Sequence, residues 1–351
     1  MKRAIVAAAL AGCAACTSIP VRPVDYTFRT PLSTAPIGMS RIADGRDAFA
    51  QLFCRALRDP GAGGPWRPCA AYLELDAFQD DARPLPPLTD AYKVIVVAGI
   101  FSACLPKNVT VFRQGLEALK RDGITFAEEI PVSASGSAEE NARLIGDYIR
   151  RNRDAARPFI AIGYSQGAVD LLQAYATDEG VRSSVAALIT VAGAVGGSRL
   201  PDGLSPPLLT LLKELHLDLP QCRIEGLGGL ETLRRATRYD FLSDNRARLP
   251  RSYSIAAKST HATTSKALEH GWKQLSAYSI DQDSQIIRDD AMVPGGTFLG
   301  TALGDHWAVA LPFSEAHDAL LDHLVDHNVF PRTVLLEALV RFVMNDLKEH
   351  P

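Results

Sequence analysis

The chain has 351 residues, 47% of them apolar, and a formal charge of −3, which suits one large α/β core with inserted elements. It carries no basic block and no Cys or His cluster at metal-ligand spacing, so neither nucleic-acid binding nor a structural zinc is indicated. After the first residues no apolar run approaches the length of a membrane span.

Met1-Lys2-Arg3 is a short cationic start, Ala4 to Gly12 is a small apolar stretch, and Leu10-Ala11-Gly12-Cys13 reads as a bacterial lipobox. Residues 1–12 are therefore expected to act in export and to be removed. The mature chain would then begin at a lipidated Cys13, with Cys16 as the alternative, and be held on a membrane of the bacterial envelope by acyl chains. No Asp follows Cys13, which by analogy with lipoprotein sorting points to the outer membrane. Residues 13–90 read as a leader and irregular arm: a Pro-rich stretch to about Ser40, a helix from Arg41 to Arg58, an irregular segment from Trp66 to Arg83, and a Pro-rich linker at 84–88. Of six cysteines, Cys54, Cys69, Cys104 and Cys222 lie in the folded region, and an exported chain usually pairs such residues. Cys54 and Cys69 enclose a Pro/Gly-rich loop and form the preferred first pair; by elimination Cys104 would join Cys222.

From Lys93 the pattern becomes that of a doubly wound, mainly parallel sheet with helices on both faces. The run Lys93 to Ala98 is β-rich without alternation, as a strand covered on both faces requires. Phe112, Leu116 and Leu119 mark a helix that Gly123 can close in a left-handed conformation. A strand at 124–131 follows, then a helix whose start carries the capping-box pair Ser137 and Glu140. Further strands are expected at Phe159 to Ile162, Val185 to Val195, Arg251 to Ala257 and Thr297 to Ala302.

Gly163-Tyr164-Ser165-Gln166-Gly167 stands between one of these strands and the helical pattern beginning at Ala168. A strand, a Gly-x-Ser-x-Gly turn and a helix form a nucleophile elbow, a strained turn that lifts a serine hydroxyl clear of the sheet. A serine needs a base, and among eight histidines His306 lies just past the last strand, where it can reach Ser165; His317 is second choice. His323 and His327, four apart on an expected helix, lack a third ligand and read as a solvated face. The orienting acid should lie between serine and histidine, and Asp283 is favoured over Asp290, which is cramped against Pro294-Gly295-Gly296. Asp305, next to His306, should point away from it. Oxyanion donors are expected at the backbone amides of Gln166 and of Ile100, the latter following an unencumbered Gly99.

These residues together resemble an α/β-hydrolase of the lipase/esterase superfamily, covering residues 91–351, and Gly-Tyr-Ser-Gln-Gly is similar to the elbow of cutinases and small carboxylesterases. The resemblance implies a Ser165–His306–Asp283 triad, an acyl-enzyme, no cofactor and no metal, and a small-molecule or lipid ester as substrate. It also makes residues of about 198–250, with leucines 208, 209, 212, 215 and 219 and then 227, 230 and 233, a helical cap or lid insert, the alternative being that both leucine stripes pack on the core. The contrasting reading is a non-catalytic envelope lipoprotein that uses the same scaffold to bind a partner or lipid.

Overall fold

The computed structural model describes residues 42–62, 64, 66–75, 83–100, 102, 105, 108–200, 228–315 and 323–350. The chain divides into two units, 1–31 and 32–351, and the description concerns the second. Cys13, Cys16, Cys104, Cys222, His317 and the insert's leucines up to Leu227 fall outside the described residues.

Seven parallel strands form one sheet in the order β1-β7-β6-β5-β4-β2-β3. They are β1 (Ala43–Asp44), β2 (Lys93–Val97), β3 (Ala127–Ile130), β4 (Phe159–Tyr164), β5 (Val185–Val191), β6 (Ser252–Lys258) and β7 (Thr297–Leu303). Alternation along the central strands feeds two cores. Val94, Val96, Ile160 and Ile162 face α1 (Arg46–Arg58), α2 (Arg113–Arg121) and α9 (Arg332–Glu349), while Ile95, Val97 and Ala161 face α3 (Ala138–Asn152) and α4 (Gln166–Thr177). With both faces covered, every residue of β2 and β4 is buried, which explains their unbroken apolar character.

The helix expected from Arg41 instead begins at Arg46, because Ala43 and Asp44 pair with the edge of β7. Gly45 makes the corner there, and a side chain on it would come within 2.8 Å of Thr297. Residues 43–58, read from sequence as part of a peripheral arm, thus supply a strand and core residues such as Phe49 and Phe53. A disulfide joins Cys54 of α1 to Cys69, across a separation of 15 residues, tying the arm's irregular part to that helix. A cross-link over a loop of this length restricts the unfolded chain by about 3 kcal/mol.

Two strands are shorter than the sequence suggested. The one expected at 124–131 is confined to 127–130, since Asp90 accepts bonds from the Thr125 amide and hydroxyl and draws that end off the sheet. The one expected to reach Val195 ends at Val191, where Ala192 turns with φ 45° and the chain bends back toward the elbow. Gly123 takes φ 105° at the end of α2, and the Ser137 hydroxyl caps α3 by accepting from the Glu140 amide at 3.3 Å.

The crossover from β4 to β5 runs through α4 and the short α5 (Glu179–Arg182). Of the insert, α6 (Gly228–Thr232) and α7 (Arg235–Asp244) are described, and Leu233 between them is buried. The helical turn carrying His323 ends at Leu324 and His327 sits in a separate turn, so the two do not share a helix face.

Candidate active site

Because all strands run parallel, the loops that leave β2, β4, β6 and β7 open at one end of the sheet. Ser165 lies at the tip of the turn between β4 and α4 with φ 54° and ψ −121°, a conformation that a side chain adopts only under strain. The flanking glycines are required by contact distances. A Cβ on Gly163 would lie 2.4 Å from the Ala168 Cα, and one on Gly167 would lie 2.1 Å from the Val97 carbonyl oxygen. The turn is held from outside as well, since the Ser165 carbonyl accepts from the Ala194 amide at 3.0 Å, the bond that the early end of β5 makes room for.

His306 follows β7 and is 4% exposed. Its Nε2 lies 2.9 Å from the Ser165 Oγ and its Nδ1 lies 2.7 Å from Asp283 Oδ2. Asp283, 1% exposed, comes from the connection between β6 and β7, after α8 (Glu269–Ser276). Its other oxygen accepts from the amides of Gln285 and Ile286 at 2.9 and 2.7 Å. An acceptor-only carboxylate on Nδ1 puts the ring proton there and leaves Nε2 free to accept from the serine hydroxyl. The His306 amide also donates to the Asp283 carbonyl at 2.8 Å, which locks the two loops to each other.

Asp290 is placed elsewhere. It is buried and accepts from Arg235 and from the Tyr239 hydroxyl, each at 3.2 Å. Burial pushes its carboxyl up to about 6 against the pull of Arg235 and Arg199. Asp305 points away from the imidazole, as alternation requires, and accepts from the amides of Ser265, Trp307 and Ala308. It thereby braces the loop that carries His306. Desolvation raises its pKa.

Sequence reasoning missed Tyr164, whose hydroxyl donates to the His306 carbonyl at 2.8 Å and whose ring lies 5.2 Å from the imidazole. Its place beside Ser165 in the elbow was visible; its partner 142 residues away was not. Gly99 lies directly against the serine, where an added Cβ would meet the Ser165 Cβ at 2.8 Å, so the backbone leaving β2 passes close by the hydroxyl. Ile100 comes next in that backbone, and Gln166 is the first residue of α4, whose leading amides have no acceptor within the helix. Among the described residues no group of three or more His, Cys, Asp or Glu stands together as a metal site.

No protein-family model matches the sequence, and no curated protein matches it. Solved structures do. A metagenomic carboxyl esterase is 30% identical, with 90% of this chain and 97% of that one covered and a TM-score of 0.80. The protein EstA from Clostridium botulinum is 9% identical, with 89% and 99% covered and a TM-score of 0.50, a likeness of fold. Given the sheet order, the elbow, and a relative at this identity along nearly its whole length, the chain belongs to the α/β-hydrolase family that includes this carboxyl esterase.

Proposed function

We propose that this protein is a serine hydrolase that cleaves carboxylic esters through an acyl-enzyme. The hydrogen-bonded series Ser165–His306–Asp283, at 2.9 and 2.7 Å with the serine on a strained elbow, carries this reading. His306 takes the Ser165 proton as the oxygen attacks the ester carbonyl carbon. The amides of Gln166 and Ile100 receive the negative charge that forms on the carbonyl oxygen, and the start of α4 adds its helix dipole. His306 then hands its proton to the departing alcohol. Water enters, gives a proton to His306 as it attacks the acyl carbon, and His306 passes that proton to the Ser165 Oγ as the acyl–oxygen bond breaks and the carboxylic acid leaves. Every step is a proton transfer or an acyl transfer, so no cofactor is required.

A small-molecule or lipid ester is the proposed substrate class, supported by the carboxyl esterase relative. A series of p-nitrophenyl esters from acetate to palmitate tests it on the purified protein. Turnover that peaks at one range of chain length is expected; no turnover across the series would overturn the reading.

We also propose that the protein works in the bacterial envelope, anchored through a lipidated Cys13. Partition into detergent, with lipid found on the first residue of the mature chain, is the expected result. Processing that survives Cys13→Ser but stops with Cys16→Ser would move the anchor to Cys16.

A further inference from the structure

Behind the nucleophile lies a buried polar cluster that takes no part in the proton traffic. Asp170 follows Gln166 by one turn of α4 and is 1% exposed. Its Oδ2 accepts from Asn141 Nδ2 at 2.8 Å, and its Oδ1 accepts from Gln166 Nε2 at 3.4 Å. That Gln166 amide group also donates to the Gly136 carbonyl at 2.9 Å. Asn141 is tied to the same loop through Ser133, whose amide donates to the Asn141 Oδ1 at 2.9 Å. The opposite side of the carboxamide is closed by the insert. A Cβ on Gly229 of α6 would lie 2.9 Å from Gln166 Oε1 and 3.0 Å from Ile100 Cδ1, so a side chain there would push on the ends of both residues. The Gly229 amide donates to the Ser135 carbonyl at 2.9 Å, which seats α6 on loop 133–137.

We infer that Asp170, Gly136 and Gly229 form a clamp on the Gln166 side chain and that Asp170 and Gly229 are positioning residues for the Gln166 backbone amide as an oxyanion donor. The inference rests on the ester hydrolase reading above for its catalytic meaning. Its physical basis is that the Gln166 amide is aimed by the first turn of α4, and that turn is held by a side chain whose carboxamide nitrogen donates to the Gly136 carbonyl and to Asp170. Rotation of the first residue would swing its N–H away from the oxyanion, and a displacement of about 1 Å can cost about a hundredfold in rate. Asp170 is suited to the task because two donors, from Asn141 and Gln166, converge on it and its carboxyl group offers an oxygen to each; burial pushes that group up to about 8 against the pull of these donors and of Arg238. An asparagine has a single side-chain oxygen, so Asp170→Asn must turn its own amide against one of them. The charged groups that face Asp170 are Arg238, itself buried, and Glu139.

The experiment compares wild type, Asp170→Asn, Gly229→Ala, Gln166→Ala and the double variant Asp170→Asn/Gln166→Ala in the full chain. Each single variant should lower kcat by about tenfold to a hundredfold with KM little changed, since the lost interaction belongs to the transition state. The double variant should be no slower than Gln166→Ala, because Asp170 acts through the side chain already removed. Multiplying effects, or a loss of melting temperature with unchanged kcat per folded molecule, would overturn the clamp. Hydrogen exchange in the peptide spanning residues 165–170 gives a second readout that needs no turnover: Asp170→Asn should speed exchange there and leave α3 and β5 unchanged. Unaltered exchange would overturn the clamp, whereas absence of ester turnover in wild type would overturn the hydrolase reading.

Discussion

Ser165→Ala is expected to lower ester turnover by about four to six orders of magnitude while leaving the melting temperature and circular dichroism of the protein close to wild type. The Ser165 Oγ has His306 as its partner, and the elbow is held by backbone bonds, from the Ser165 amide to Val191 and from the Ala194 amide to the Ser165 carbonyl. Alanine keeps that backbone and removes one buried hydroxyl. The remaining rate would come from substrate binding and the oxyanion amides alone. Turnover within tenfold of wild type, on the ester that wild type cleaves best, would remove Ser165 from the mechanism.

Asp283→Asn should lower kcat by about four orders of magnitude, through tautomer choice more than through fold. One Asp283 oxygen accepts from the Gln285 and Ile286 amides, so an asparagine at 283 places its oxygen there and turns its amide group toward His306 Nδ1. Nδ1 must then be unprotonated and Nε2 carry the hydrogen, which leaves the imidazole unable to accept the serine proton. Asp290→Asn has the opposite profile. It takes the counter-charge from Arg235, whose side chain is partly exposed, and also removes a carboxylate that burial disfavours, so stability should fall by only about 1 kcal/mol, with kcat per folded molecule within a few-fold of wild type. Kinetics and thermal denaturation of both variants decide the matter; a larger kcat loss in Asp290→Asn would reassign the acid.

What sequence made legible follows from how local each cause is. The central strands announce themselves because burial on both faces forces unbroken apolar runs, as in Lys93–Val97 and Phe159–Tyr164. The elbow does so because the two glycines answer contacts to the next few residues and to the neighbouring strand. Strand β1 was illegible for the converse reason: two exposed residues, Ala43 and Asp44, become a strand only because the free edge of β7 is there to pair with. The ranking of Asp283 over Asp290 rested on loop room; the structure places Asp283 on the imidazole, while Asp290 accepts from Arg235 and Tyr239 in the insert, partners that no local spacing announces. The Tyr164 bond to His306 and the clamp on Gln166 join segments far apart in the chain, and no spacing rule connects them.

The central claim, an activated serine at position 165, is tested most directly by reaction of the folded protein with a fluorophosphonate followed by peptide mapping. We expect one phosphonyl adduct per molecule, on Ser165, absent from Ser165→Ala and strongly slowed in His306→Ala, because the probe demands both a nucleophilic oxygen and a place for its own oxyanion. A folded protein that stays unlabelled at concentrations that saturate other serine esterases, or that is labelled on a different residue, would contradict the account.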